Sequence, residues 1–144
     1  MKSVMAIIPR YQETDQMGVI HHSVYPIWYE MGRVKFCDDL GMSFKDIEKQ
    51  GVGLAMVEMT SQFKKPSFFG EVYTQYTYLT ECSRVKMTFR YELYNSNDEL
   101  VHIGHTTLAW LGAGFRPQNI MKNHPDIYRL FARAVESGEV NEKH

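Results

Sequence analysis

The stretch Arg10–Tyr25, RYQETDQMGVIHHSVY, gathers Tyr11, Glu13, Asp15, His21 and His22 just ahead of a segment that reads as a helix. Loops held on a rigid scaffold are where reactive groups tend to lie. The start of a helix offers unpaired N–H groups and the positive end of the peptide dipoles. A carboxylate immediately upstream can therefore work beside a site that polarises a carbonyl. Those are the parts needed for acyl transfer: a nucleophile or base, and a place for the developing oxyanion. The same residues also suit a plain loop, with Asp15 as a turn cap and the histidines solvated. The residue types alone leave both readings open.

Other chemistries find less support. His21 and His22 are adjacent, a poor spacing for one metal on a regular element. His102 and His105 stand at i and i+3 of an expected strand, hence on opposite faces. The chain has no H-E-x-x-H and no cysteine-rich set, so no metal site is expected. It also lacks a phosphate-binding P-loop, a G-x-S-x-G elbow and a dinucleotide fingerprint, so no bound cofactor is expected. A net charge of −1 provides no overall basic field for nucleic acid. Local cations remain: Arg84 and Lys86 flank an expected turn between strands, and Lys64 and Lys65 form a second pair. Each could meet an anionic ligand or simply be a solvated strand end. The two cysteines, Cys37 and Cys82, form no C-x-x-C pair and read as reduced thiols of a cytoplasmic protein.

These groups need a frame. The chain has 144 residues, 44% of them hydrophobic, which suits one domain with its own core. Val4–Ile8 reads as a strand stopped by Pro9. That run is too short for a signal segment, and no stretch nears the roughly 18 apolar residues of a membrane span. Tyr11–Val24 reads as a loop. Tyr25–Leu40 reads as a helix, with Pro26 in its first turn, Ser23 as a candidate cap and Gly41 as its stop. Its apolar residues surround much of the circumference, which predicts burial on more than one side. A short helix follows from Ser43 to about Gln50. The period then changes to two, and four strands are expected: Val52–Lys65, Glu71–Cys82, Val85–Asn95 and Glu99–Leu111. Asn95–Asp98 is a hairpin turn by composition, and short connections imply an antiparallel meander. A last helix is expected over Pro125 to about Ser137. The sum is an α+β domain with one long helix against an antiparallel sheet. A hotdog fold meets this pattern, and so do other α+β sheets.

Two motifs narrow the choice. Tyr11, Thr14, Asp15, Gly18, His22 and Tyr25 match Tyr-x-x-Thr-Asp-x-x-Gly-x-x-x-His-x-x-Tyr, followed by Trp28-Tyr29-Glu30 and Arg33. Together they resemble the 4-hydroxybenzoyl-CoA thioesterase family, especially its Tol-Pal-associated acyl-CoA thioesterase branch. Lys65–Glu71 resembles that family's Pro-Ala-x-x-Gly-Asp segment. The likeness covers roughly residues 4–130. Glu13, where the family often has Asp, His21, where Tyr is common, and Ser67 and Glu71 depart from the pattern.

The resemblance implies a hotdog fold, a sheet wrapped around a long central helix. It implies that Asp15 is the catalytic carboxylate, as nucleophile or general base, with the His22 backbone N–H polarising the thioester carbonyl. His22 and Tyr11 would flank that carboxylate, and Arg84 and Lys86 would meet the phosphates of CoA. The implied substrate is an acyl-CoA or an acyl carrier protein thioester. The implied assembly is a homodimer or homotetramer with shared sites. A non-catalytic acyl-CoA-binding or regulatory hotdog protein is the alternative. A hotdog dehydratase fits less well, because Asp15 precedes the central helix.

Overall fold

A computed structural model describes residues 1–136. Strand β1 (Lys2–Ile7) ends just before Pro9, and helix α1 spans Tyr25–Leu40. Gly41 closes α1 in the left-handed conformation, φ 98°, its N–H reaching the carbonyls of Cys37 and Asp38. The start of α1 departs from expectation. Val24, not Ser23, holds the cap position, and no side chain caps the helix. The Ser23 hydroxyl is occupied instead by His21 Nδ1 at 2.8 Å. Helix α2 (Phe44–Lys49) does begin from Ser43, whose Oγ accepts the Asp46 N–H.

Strands β2 (Gly53–Phe63), β3 (Tyr73–Cys82), β4 (Lys86–Tyr94) and β5 (Leu100–Leu111) all pair antiparallel with their neighbours. The sheet order is β1-β3-β4-β5-β2. Only β3, β4 and β5 form a meander. The sequence suggests a four-strand run, but β2 lies beyond β5, and β3 lies between β1 and β4. The reason is the connection. After β2 the N–H groups of Lys64 and Lys65 both bond the Val101 carbonyl, which holds the strand end to β5. Residues 66–72 then carry the chain across the end of the sheet. The expected turn between β4 and β5 does form, with Asn95 Oδ1 accepting the N–H groups of Asn97 and Glu99.

The sheet wraps around α1 in the hotdog manner. Its inner face carries Tyr73, Gln75, Thr77 and Leu79, then Met87, Phe89, Tyr91 and Leu93, then His102, Gly104, Thr106, Leu108 and Trp110. All of these are buried. Gly32 sets how closely α1 approaches. A Cβ there would stand 2.4 Å from Thr77 Oγ1 and 2.6 Å from Gln75 Nε2. That contact lets Gln75 Nε2 donate to the Trp28 carbonyl at 2.8 Å. Short helix α3 (Ile120–Asn123) and helix α4 (Pro125–Arg133) close the far end, with Phe131 edge-on to Trp110. Helix α4 ends at Arg133, short of the expected limit, and Ser137 lies outside the described residues.

The chain buries only one side of α1. Ile27, Met31 and Val34 stay exposed on its other side. Along β2, an edge strand, Met56, Val57, Met59 and Phe63 are exposed as well. Among the described residues no helix is long and apolar enough to cross a membrane.

Candidate active site

Residues 13–21 form a small hairpin. Thr14 and Ile20 bridge, the Asp15 N–H bonds the Val19 carbonyl at 2.7 Å, and Gly18 turns the chain at φ 77°. The left-handed conformation is why glycine suits that position. The Asp15 carboxylate is exposed and its two oxygens are unlike. Oδ1 accepts the N–H groups of Met17 at 2.7 Å and Val19 at 3.2 Å. Oδ2 makes no hydrogen bond among the described residues. Asp15 is thus both a turn cap and a carboxylate with one oxygen facing solvent. The two readings of the loop are compatible.

The hairpin docks on the second motif. Ile20 N–H bonds the Ser67 carbonyl at 2.8 Å, Val19 bridges Phe68, and Phe69 N–H reaches the Gly18 carbonyl. The Tyr11 ring meets the Phe69 ring edge-on at 5.5 Å. Ser67, fully buried, also accepts the Tyr25 hydroxyl at 3.0 Å, which ties the same segment to the first turn of α1. Burial pushes the Tyr25 phenol above its ordinary range. Segments some fifty positions apart in the chain thus make one structure.

His22 is exposed just ahead of α1, its ring 4.1 Å from that of His21 and tilted 31° to it. Its backbone N–H has no acceptor among the described residues. Tyr11 is 75% exposed. Neither side chain hydrogen-bonds the Asp15 carboxylate. The structure therefore gathers Asp15, His22 and Tyr11 around one docked loop without joining them directly.

Arg84 and Lys86 lie elsewhere. They flank the turn between β3 and β4, exposed and without an ion pair among the described residues. Asp15 belongs with the start of β3, at the opposite end of the sheet. At about 3.3 Å per strand residue, the length of β3 separates them by roughly 30 Å. Within one chain they do not form one site.

Two features were invisible in the sequence. The first is Glu13, a nearly fully buried carboxylate at the base of the hairpin. The second is a polar network on the inner face beneath the loop. There the Tyr29 hydroxyl meets both Ser61 Oγ, at 2.7 Å, and His102 Nε2. The Tyr25 ring lies flat on the His102 ring at 4.0 Å, and Tyr29 stacks on Tyr91 at 4.5 Å. His102 Nδ1 is buried without a partner, and burial pushes the imidazole down to about 4. Tyr25 and Tyr29, one helical turn apart, were the available signal, but an aromatic pair at that spacing reads first as core. Among the described residues no three His, Cys, Asp or Glu side chains are placed to hold a metal.

Comparison with known proteins bears on this arrangement. Residues 9–133 match the model of the thioesterase-like superfamily. A Bacillus subtilis (strain 168) protein named "Putative acyl-CoA thioesterase YneP" is 32% identical over 126 residues, covering 87% of this chain and 91% of that protein. The crystal structure of the DHNA-CoA thioesterase of Staphylococcus aureus superposes with a TM-score of 0.87 at 32% identity, over 92% of this chain and 89% of that one. The chloroplastic acyl-acyl carrier protein thioesterase ATL2 of Arabidopsis thaliana is 29% identical over 112 residues, 77% of this chain and 60% of that protein.

Proposed function

Because the chain belongs to the thioesterase-like superfamily, we propose that it hydrolyses an acyl-CoA thioester with Asp15 as its reacting carboxylate. The chain is a thioester hydrolase; the residue roles are our assignment. One observation carries it. Asp15 Oδ1 is fixed by two backbone N–H groups while Oδ2 is left open, beside a helix start where the His22 N–H is also unused. A thioester carbonyl oxygen accepting from the His22 N–H would have its carbon polarised for attack. Asp15 Oδ2 then either attacks that carbon, expelling the CoA thiolate to leave an acyl anhydride that water opens, or takes a proton from an attacking water. Both routes give a free acid and CoA. His22 and Tyr11 wall the approach. After a single turnover in ¹⁸O-water, label in Asp15 identifies the anhydride route, with water opening the anhydride at the Asp15 carbonyl.

The distance between Asp15 and the Arg84–Lys86 turn supports a site shared between two copies. The β2 edge is apolar and long, and among the described residues its outward N–H and C=O groups lack a neighbouring strand. Pairing two β2 strands antiparallel reverses the ends of the second sheet. The second copy's Arg84 and Lys86 then come to the Asp15 end of the first, where they can meet the phosphates of CoA. The assembly is a homodimer or a homotetramer built from it. The free thiols of Cys37 and Cys82 suit a cytoplasmic setting. CoA and acyl carrier protein share the thioester, and the carrier follows from turnover on each.

The test is Asp15→Asn with release of free thiol as the readout. Near-normal turnover on a good acyl-CoA overturns the assignment of Asp15. Sedimentation that finds a stable, active monomer overturns the shared site.

A further inference from the structure

Glu13 lies two residues before Asp15 and has a different kind of environment. It is 5% exposed. Its Oε1 accepts the Arg10 N–H at 2.7 Å, and its Oε2 accepts the Trp28 indole N–H at 3.2 Å, with the Arg10 guanidinium 3.5 Å away. Its own carbonyl accepts the His21 N–H at 3.0 Å, and its own N–H bonds the Arg10 carbonyl. One residue therefore grips three things: the chain entering the hairpin, the chain leaving it, and α1 itself through a Trp that is 2% exposed. A buried carboxylate is costly unless its oxygens are hydrogen-bonded, and both of these are.

The geometry points to Glu13 as a positioning residue that fixes the Asp15 hairpin at a set distance from the start of α1. This rests on the reading of Asp15 as the reacting carboxylate. Asp15 Oδ2 and the His22 N–H belong to different sides of the hairpin base, and Glu13 spans that base. Its main chain bonds the backbone of His21, next to the proposed carbonyl donor, while its carboxylate ties that base to Arg10 N–H and to Trp28 of α1, two residues from the Asp15 carboxylate. Misplacement of reacting groups by an ångström costs rate rather than binding. Loss of Glu13 should therefore lower kcat and leave KM nearly unchanged.

The experiment uses Glu13→Ala and Glu13→Gln in the full chain, with Asp15→Asn alongside. Glutamine has one oxygen for two donors, so one of Arg10 N–H and Trp28 Nε1–H faces an amide NH₂. Glu13→Ala is expected to lower kcat about thirtyfold and Glu13→Gln about fivefold, each with KM within about twofold. The Trp28 indole proton resonance should move upfield in both variants. Amide exchange at Met17 and Val19, the donors to Asp15, should quicken. A merely structural role would lower the melting temperature and leave kcat of the folded protein intact. Glu13→Gln keeps the test alive should Glu13→Ala fail to fold. The proposal is overturned if folded Glu13→Gln and any folded Glu13→Ala keep kcat within twofold while Asp15→Asn is inactive. It is equally overturned if the indole and amide signals do not change. If Asp15→Asn itself turns over normally, it is the function of Asp15 that fails. The indole and amide signals then still report whether Glu13 holds the hairpin.

Discussion

The first turns of α1 have two sides, and both are polar. On the outer side stand Asp15, His22 and Tyr11, exposed, on a loop fixed by backbone hydrogen bonds. On the inner side stand Tyr25, Tyr29, Ser61 and His102, fixed by side chains packed against each other. The outer arrangement leaves two polar atoms free among the described residues: one carboxylate oxygen and one N–H. The inner arrangement uses nearly everything, with His102 Nδ1 as the exception. A polar cluster is therefore not by itself a site. What separates the proposed site from scaffold here is whether the backbone can hold a group while its outer atom stays in reach of solvent.

If that distinction is sound, changes on the two sides have opposite signatures. The largest effect is expected for Asp15→Asn. The amide oxygen still accepts from Met17 and Val19, so the melting temperature should move by less than about 2 °C. The rate of thiol release should fall on the order of a thousandfold, about 4 kcal/mol in the barrier. A variant that lost stability along with rate would blur the two sides.

Gly104→Ala should do the reverse. A Cβ at Gly104 would fall 2.1–2.5 Å from the Tyr29 ring and hydroxyl, which Tyr91 and His102 prevent from retreating. Urea unfolding should show a loss of about 3 kcal/mol, and kcat of the folded protein at low temperature should stay within about threefold of the parent. A large drop in kcat without a stability loss would mean the inner network takes part in the chemistry.

Acid should also act on the inner side first. Burial holds His102 at about 4 in the folded chain, against about 6.5 for an ordinary imidazole. Between those values the unfolded chain takes up a proton that the folded chain refuses. Stability is therefore intact above about pH 6.5 and declines as the pH falls toward 4, by about 2 kcal/mol once partial opening to water is allowed for. Urea midpoints from pH 7 to 4.5 should show this slope, and His102→Gln should flatten it. An equal slope in the variant would remove His102 as its source.

The smallest effect belongs to the distant cations. Replacing Arg84 and Lys86 together by Ala should raise KM for an acyl-CoA about five- to tenfold, near 1 kcal/mol, with kcat unchanged. A truncated thioester that lacks the phosphates should not notice. An equal rise in KM for both substrates would remove these residues from CoA binding.

Much of this could be read from the sequence because it is local. The helix over Tyr25–Leu40, the strand periods and the Asp15–Gly18 turn are each written in neighbouring residues. The strand order was not, because alternation says which face a residue takes and nothing about which strand lies beside it. The placing of β2 beyond β5 rests on a ladder from Gly53–Leu111 to Phe63–His102, contacts between residues some forty to sixty positions apart. Ser23 looked like a cap by type, and only the position of His21 shows why it is not. Glu13 gave no sign of burial, since its environment is made by Trp28 arriving one turn into the helix. Ser67 departs from the resembled motif mildly by type, yet its hydroxyl and carbonyl join both motifs in the fold.

The bonds from Gly18 and Ile20 to Phe69 and Ser67 also impose an order in time. At about 5–20 residues per second, the ribosome adds the docking segment roughly 3–10 seconds after the hairpin. During that interval the hairpin's docking bonds have no partner. The loop must close over nearly fifty residues before they can form, an entropic cost that favours late assembly. A chain halted within β2 therefore carries Asp15 without the surface that holds it. The Asp15 hairpin is therefore made early and docked late.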